Sequence, residues 1–181
     1  GFVLSHSKTE LILCADDCRT LVEDALATIP DVSHVKPQII SMDIDDGPRW
    51  VGSGITPIKV RDLRQPTAQT TGLLMYTSGT TGVPKGVLLS HGNLIAAGSN
   101  VCVAHKLEST DTGMCVLPIY HINGLCVTVM GTLVSKSGLV MPRRFSATHF
   151  WAQMQRFNCS WFSAVPTLFA YLLNDETTPE L

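Results

Sequence analysis

A chain of 181 residues and 19.6 kDa is long enough for one compact domain with its own core and too short for two full-sized ones. With 13 Lys and Arg against 15 Asp and Glu, the net charge of −2 gives no bulk pull toward nucleic acid or anionic lipid, and a basic binding module is excluded. Only 15% of residues are charged and 45% are apolar, against roughly a quarter charged in ordinary soluble domains, so much of the surface is expected to be covered by more protein.

That cover is either an oligomer interface or the rest of a larger molecule, and a first residue of Gly1 rather than Met favours a piece of a longer polypeptide. The opening residues lack a cationic stretch followed by a sustained apolar core, so no secretory leader is read there. The most hydrophobic run, residues 125–134, falls short of the roughly 20 residues of a bilayer span and reads as a buried element. Six scattered cysteines, Cys14, Cys18, Cys102, Cys115, Cys126 and Cys159, are expected reduced and buried, which implies a reducing, cytoplasmic setting. No C-x-x-C pair is present, and the Cys14 to Cys18 spacing has no second ligand pair, so no zinc site is expected.

Residues 10–15 read as a short buried strand. Asp16 or Asp17 can then cap a helix in which Leu21, Val22, Ala25, Leu26 and Ile29 recur at helical spacing until Pro30 stops it. Residues 38–42 read as a second strand. From 43 to 71 the pattern dissolves into Gly, Pro, Asp and Gln, with a brief helical candidate over 60–63. This long connection divides a first α/β piece, 1–42, from a second, 72–181.

In the second piece, strands over 73–77, 86–89, 114–117, 139–141 and 160–163 alternate with helices. The helices run over 91–105 after a Ser90 cap, 124–134, 147–157 after a Ser146 cap, and 166–174 from Pro166. Such alternation predicts a layered α/β fold around a largely parallel sheet, where ligands gather at the loops leaving the strand carboxyl ends.

The chemistry concentrates in Tyr76-Thr77-Ser78-Gly79-Thr80-Thr81-Gly82-Val83-Pro84-Lys85-Gly86-Val87, which sets four hydroxyls, three glycines and one lysine between two apolar strands. Glycine lets backbone N–H groups approach an anion, hydroxyls add rotatable donors, and lysine supplies a point charge, so the segment reads as a cradle for polyphosphate. It is not a Walker loop: Pro84 stands at the second glycine and Gly86 replaces the metal-binding hydroxyl.

These twelve residues, with the following Ser90-His91-Gly92-Asn93-Leu94, resemble the phosphate-binding signature of the adenylate-forming enzymes, which include acyl-CoA and aryl-CoA synthetases and peptide-synthetase adenylation domains. Leu117-Pro118-Ile119-Tyr120-His121-Ile122-Asn123-Gly124 resembles that family's aromatic–histidine loop, and residues 160–167 resemble its next strand and turn. The resemblance covers about 72–174 and is one of pattern only over 1–42.

It implies part of the family's large N-terminal domain, and an enzyme that joins a small carboxylic acid to ATP before passing the acyl group to CoA. By that resemblance Ser78, Gly79, Thr80, Thr81, Gly82 and Lys85 would hold the β and γ phosphates, and Thr77 would stand near the Mg2+ carried on ATP. His121 would line the space between carboxylate and α-phosphate, with Asn123 and Gly124 shaping the acyl pocket.

Between 71 and 174 six cationic side chains face two carboxylates, a balance that suits an anionic ligand. Amino-acid-activating relatives carry an aspartate after the aromatic residue, where His121 stands here, so an acid without an α-amino group is expected. The helix after Gly124 reads as ordinary core rather than a fatty-acid tunnel. The family's later acidic motif, ribose-binding aspartate and C-terminal domain are absent from the chain. It is therefore expected to pack against the remainder of its own enzyme, or to form a homo-oligomer, and to bind phosphate only weakly by itself. An amino-acid-adenylating domain and a non-catalytic fragment or degenerate relative are the alternatives.

Overall fold

Apolar runs of strand length separated by amphipathic stretches fold into two compact units, Gly1–Gln65 with Tyr76–Val87, and Pro66–Met75 with Leu88–Leu181. The structure, a computed structural model, describes residues 1–29, 37–42, 65–78, 82–176 and 178. Pro30, most of the 43–71 connection and the 60–63 helical candidate lie outside the described residues.

The first unit opens with a helix the sequence pattern does not announce, α1 (Phe2–His6). Strands β1 (Leu11–Ala15) and β2 (Gln38–Met42) pair in parallel, Leu11 opposite Gln38 and Ala15 opposite Met42. β1 is not the buried strand expected, since Leu11 and Leu13 stay 46% and 50% exposed, while β2 buries Ile40 and Ser41. Helix α2 (Arg19–Ala27) follows a 3-10 turn over Asp16–Cys18. Both aspartates are spent inside that turn, so Cys18 occupies the cap position of α2 and no side chain caps it. Arg19 ties the helix to β2 by donating from Nη1 to Ser41 Oγ at 3.0 Å.

Strands β3 (Thr71–Thr77) and β4 (Lys85–Ser90) pair with each other as a two-stranded ribbon, each slightly longer than its apolar run. Ser90 then starts α3 (His91–His105) as expected. Its Oγ accepts from the Asn93 N–H at 3.1 Å, and Asn93 Oδ1 accepts from the Ser90 N–H at 3.0 Å, a reciprocal cap satisfying two terminal amides.

In the second unit β5 (Thr112–Cys115) lies between β6 (Gly138–Val140) and β7 (Trp161–Ser163), all parallel, with Gly113 opposite both Leu139 and Trp161. Helices α4 (Met130–Ser135), α5 (Ala147–Arg156) and α6 (Pro166–Leu173) complete the α/β arrangement that the alternation predicts. Buried Met114, Val116, Phe150 and Leu172 form its core, with Phe145, Trp151, Phe162 and Leu168 packed around them. Phe150 meets Phe162 edge to face at 4.8 Å, a favoured aromatic geometry. Ser146 precedes α5, but its side chain makes no cap bond. Lys136 ends α4 in the left-handed conformation and is exposed.

All six cysteines are free, yet only Cys115 and Cys126 are buried and Cys18 is exposed, so the expectation of general burial fails. Among the described residues no helix is long and apolar enough to cross a membrane, and no cluster of three metal-ligating side chains forms.

The amino ends of the three parallel strands are joined by polar bonds. Asp111 Oδ2 accepts from the Glu108 N–H and Oδ1 from Ser160 Oγ, both at 2.7 Å, and Ser160 Oγ also accepts from the Thr112 N–H at 3.1 Å. The Asp111 carbonyl accepts from the Gly138 N–H at 2.9 Å. The Glu108 amide first, and then the Ser160 hydroxyl, hold the Asp111 carboxyl below its ordinary pKa. Its stabilisation is present above the ordinary carboxylate range and lost as pH falls through the lowered value. Asp111→Asn is therefore expected to lower the melting temperature at pH 7, with the deficit shrinking as pH falls below the ordinary carboxylate range, which thermal unfolding across a pH series measures.

Candidate active site

The glycine- and hydroxyl-rich segment leaves the end of β3 and returns at the first residue of β4. Thr77 and Ser78 are exposed at the departure, and Lys85 is exposed at the return. Gly82 has φ +79°, a left-handed value that a side chain would strain. Gly79, Thr80 and Thr81 lie outside the described residues. The donors on either side of them are hydroxyls and one ammonium, and residues 76–87 include no carboxylate. This set fits an anion. For a divalent cation Thr77 offers a single hydroxyl oxygen, which suits a magnesium ion held mainly by phosphates and water.

Tyr76, just before the segment, is anchored from α1: its hydroxyl lies 2.8 Å from His6 Nδ1, and the two rings meet edge-on at 5.7 Å. Sequence reasoning gave His6 no role, and a lone histidine 70 residues away offers no signal for this pairing.

In the second unit, the aromatic–histidine loop runs from the carboxyl end of β5. The His121 N–H donates to the Pro118 carbonyl at 3.0 Å, closing a turn that presents exposed Tyr120 and His121, whose rings lie 4.6 Å apart. The next stretch is not the plain α-helix expected. Asn123–Val129 forms a π-helical turn that runs directly into α4. Such turns are rare, occur often at functional sites and widen the helix by one residue per turn. Ser163, at the end of β7, donates to Asn123 Oδ1 at 3.0 Å and so fixes the entry of this turn to the sheet.

Gly124 is buried under the loop that precedes it. A Cβ placed there would lie 2.6 Å from the Pro118 carbonyl oxygen and 2.7 Å from that of Leu117, closer than real contacts allow. Cys115 Sγ donates to the Leu117 carbonyl at 3.3 Å and the Gly124 carbonyl at 3.6 Å. Burial pushes the Cys115 thiol above its ordinary pKa, so it acts as a neutral donor bracing the loop.

Loops leaving β5, β6 and β7 enclose a cleft of about 560 Å3. Leu117, Ile119 and Tyr120 come from the first loop, Arg143 and Arg144 from the second, and Val165 and Leu168 from the third. None of His121, Asn123 and Gly124 lines it, whereas their neighbour Tyr120 does. The arginine pair is the part that sequence reasoning missed as a site. Its available signal was an Arg-Arg doublet directly after a parallel strand, where such folds bind ligands.

A family model described as AMP-binding enzyme matches residues 1–180. The sulfoacetate–CoA ligase of Cupriavidus necator is 40% identical over 184 residues, covering 96% of this chain and 33% of that protein. The oxalate–CoA ligase of Arabidopsis thaliana is 30% identical over 181 residues, covering 96% and 34%. Among solved structures, ATP-bound MatB from Rhodopseudomonas palustris shares the fold with a TM-score of 0.73 at 22% identity, covering 97% of this chain and 33% of its own. The O-succinylbenzoate coenzyme A synthetase (MenE) of Bacillus subtilis, in complex with AMP, has a TM-score of 0.73 at 26% identity, covering 99% and 42%. The chain spans about a third of the length of the curated relatives it matches.

Gly124→Ala is expected to force the Pro118 and Leu117 carbonyls apart from the π turn and to cost about 1–3 kcal/mol, the usual price of overpacking, read as a lowered midpoint in urea unfolding.

Proposed function

The chain belongs to the AMP-binding enzyme family, and from that premise we propose that the whole protein is an ATP-dependent acid–thiol ligase. A carboxylate oxygen attacks the α-phosphorus of ATP, the bond from that phosphorus to the bridging oxygen breaks, and pyrophosphate leaves. The sulfur of CoA then attacks the acyl carbon and AMP departs. The observation that carries this reading is the hydroxyl- and glycine-rich segment held between β3 and β4, with Lys85 at its return and no carboxylate to oppose an anion.

An anionic acid must approach an anionic phosphate, so catalysis here is charge neutralisation and positioning rather than attack by a protein nucleophile. Ser78, Gly79, Thr80, Thr81, Gly82 and Lys85 hold the departing pyrophosphate. Lys85 is rooted in a strand but carries its charge on a flexible stem, which lets the ammonium follow that group. Thr77 would stand near a magnesium ion carried on ATP, which would supply neutralisation of phosphate charge. His121 lines the approach of the carboxylate, and Asn123 and Gly124 shape the acyl pocket indirectly, by holding the turn behind the Leu117–Tyr120 loop that borders the cleft.

Residues 1–42 and 72–181 are then two parts of the family's N-terminal domain joined by 43–71, working in a reducing cytoplasmic compartment. His121, where an ammonium-binding aspartate would be required for an amino acid, favours a simple carboxylic acid. The names of the two relatives, sulfoacetate–CoA and oxalate–CoA ligase, support the same class.

Lys85→Gln in the full-length protein is expected to lower kcat/KM for acid-dependent exchange of pyrophosphate into ATP by about 10- to 100-fold, the loss of one charge-assisted contact. Exchange at the original rate would remove the basis for this reading.

A further inference from the structure

The cleft at the carboxyl edge of the β6–β5–β7 sheet has an apolar body, with Val116, Leu117, Met141, Val165 and Leu168 on its walls. Among the described residues its charge comes from the bend after β6 that carries Arg143 and Arg144, and none of those lining it is a carboxylate. The bend is pinned on both sides. Pro142 restricts the backbone on entry, and Phe145 packs into the core with its ring 6.1 Å from that of Phe150. The backbone that carries both arginines is therefore held where it borders the cleft. A cleft whose lining combines apolar side chains, Tyr120 of the aromatic–histidine loop and two arginines suits a ligand with a reacting head, an apolar middle and an anionic group.

We propose that this cleft selects carboxylic acids that carry a second anionic group, with Arg144 holding that group and Arg143 beside it on the same bend. The inference rests on the acid–thiol ligase reading and adds the substrate class to it. The acid, rather than the thiol, is assigned to the cleft because Tyr120, on its wall, adjoins His121 in the loop given to the reacting carboxylate. Arginine suits the task because its planar fork donates two parallel N–H bonds to one oxyanion, which a lysine cannot do.

The test is acid-dependent exchange of pyrophosphate into ATP by the full-length protein without thiol, comparing succinate with butyrate and adipate with hexanoate. The unmodified protein is expected to prefer the doubly charged member of at least one pair. Arg144→Gln is expected to cut that preference at least about tenfold, mainly through KM, and Arg144→Lys to keep part of it. Met141→Glu, which sets an anion at the same mouth, is expected to shift the preference the same way. Arg156→Gln removes a guanidinium that lies 5.2 Å over the Phe157 ring and is expected to keep the preference.

A preference for the singly charged acids, or one that survives both Arg144→Gln and Met141→Glu, overturns the proposal. So does an Arg144→Gln defect that appears only with CoA and not with pantetheine, which would assign the guanidinium to a phosphate of the thiol substrate. Exchange with either class of acid upholds the ligase reading regardless of Arg144, whereas no acid-dependent exchange at all overturns both.

Discussion

The parallel ladder of β6, β5 and β7 is the constraint on which the second unit depends. Parallel strands send all their carboxyl ends to one edge, so three loops far apart in sequence must leave the sheet side by side. That is why Tyr120, Arg144 and Leu168 share a cleft although no local pattern links them. The opposite edge collects the amino ends, and there Asp111 and Ser160 tie the strands together. One edge is thus free for ligand chemistry because the other carries the polar bonds that hold register.

The glycine- and hydroxyl-rich segment is built on a different principle. Its two ends are fixed by pairing between β3 and β4, so it starts and finishes at defined places. Lys85 belongs to the ladder rather than to the turn, and its backbone position is set before any ligand arrives. Tyr76 is tethered by His6 on the other flank. Together these contacts fix both flanks of the segment.

Much of the fold could be read from the sequence where the determining physics is local. Ser90 and Asn93, three residues apart, form a reciprocal cap that is decided locally, and Pro166 opens α6 because its missing N–H costs nothing there. Asp16, Asp17 and Ser146 were equally plausible caps by type, but capping needs the preceding chain to approach in an extended conformation with the side chain turned inward. A 3-10 turn in one case and an unbonded serine in the other defeat the inference. The π turn was invisible for a related reason: Gly124, Cys126 and Thr128 are buried at alternate positions, a pattern that helical periodicity does not anticipate. The glycine- and hydroxyl-rich segment and the aromatic–histidine loop stand out in the sequence because each is contiguous. The cleft was not, because it exists only after the sheet has assembled.

The state of the thiols has a consequence beyond packing. Burial raises the pKa of Cys115, Cys126 and Cys159, and a hydrogen bond with Asp17 leads the causes that do the same for exposed Cys18. The thiolate is the nucleophile toward oxidants and alkylating agents, so keeping the proton on sulfur slows that chemistry at these four thiols.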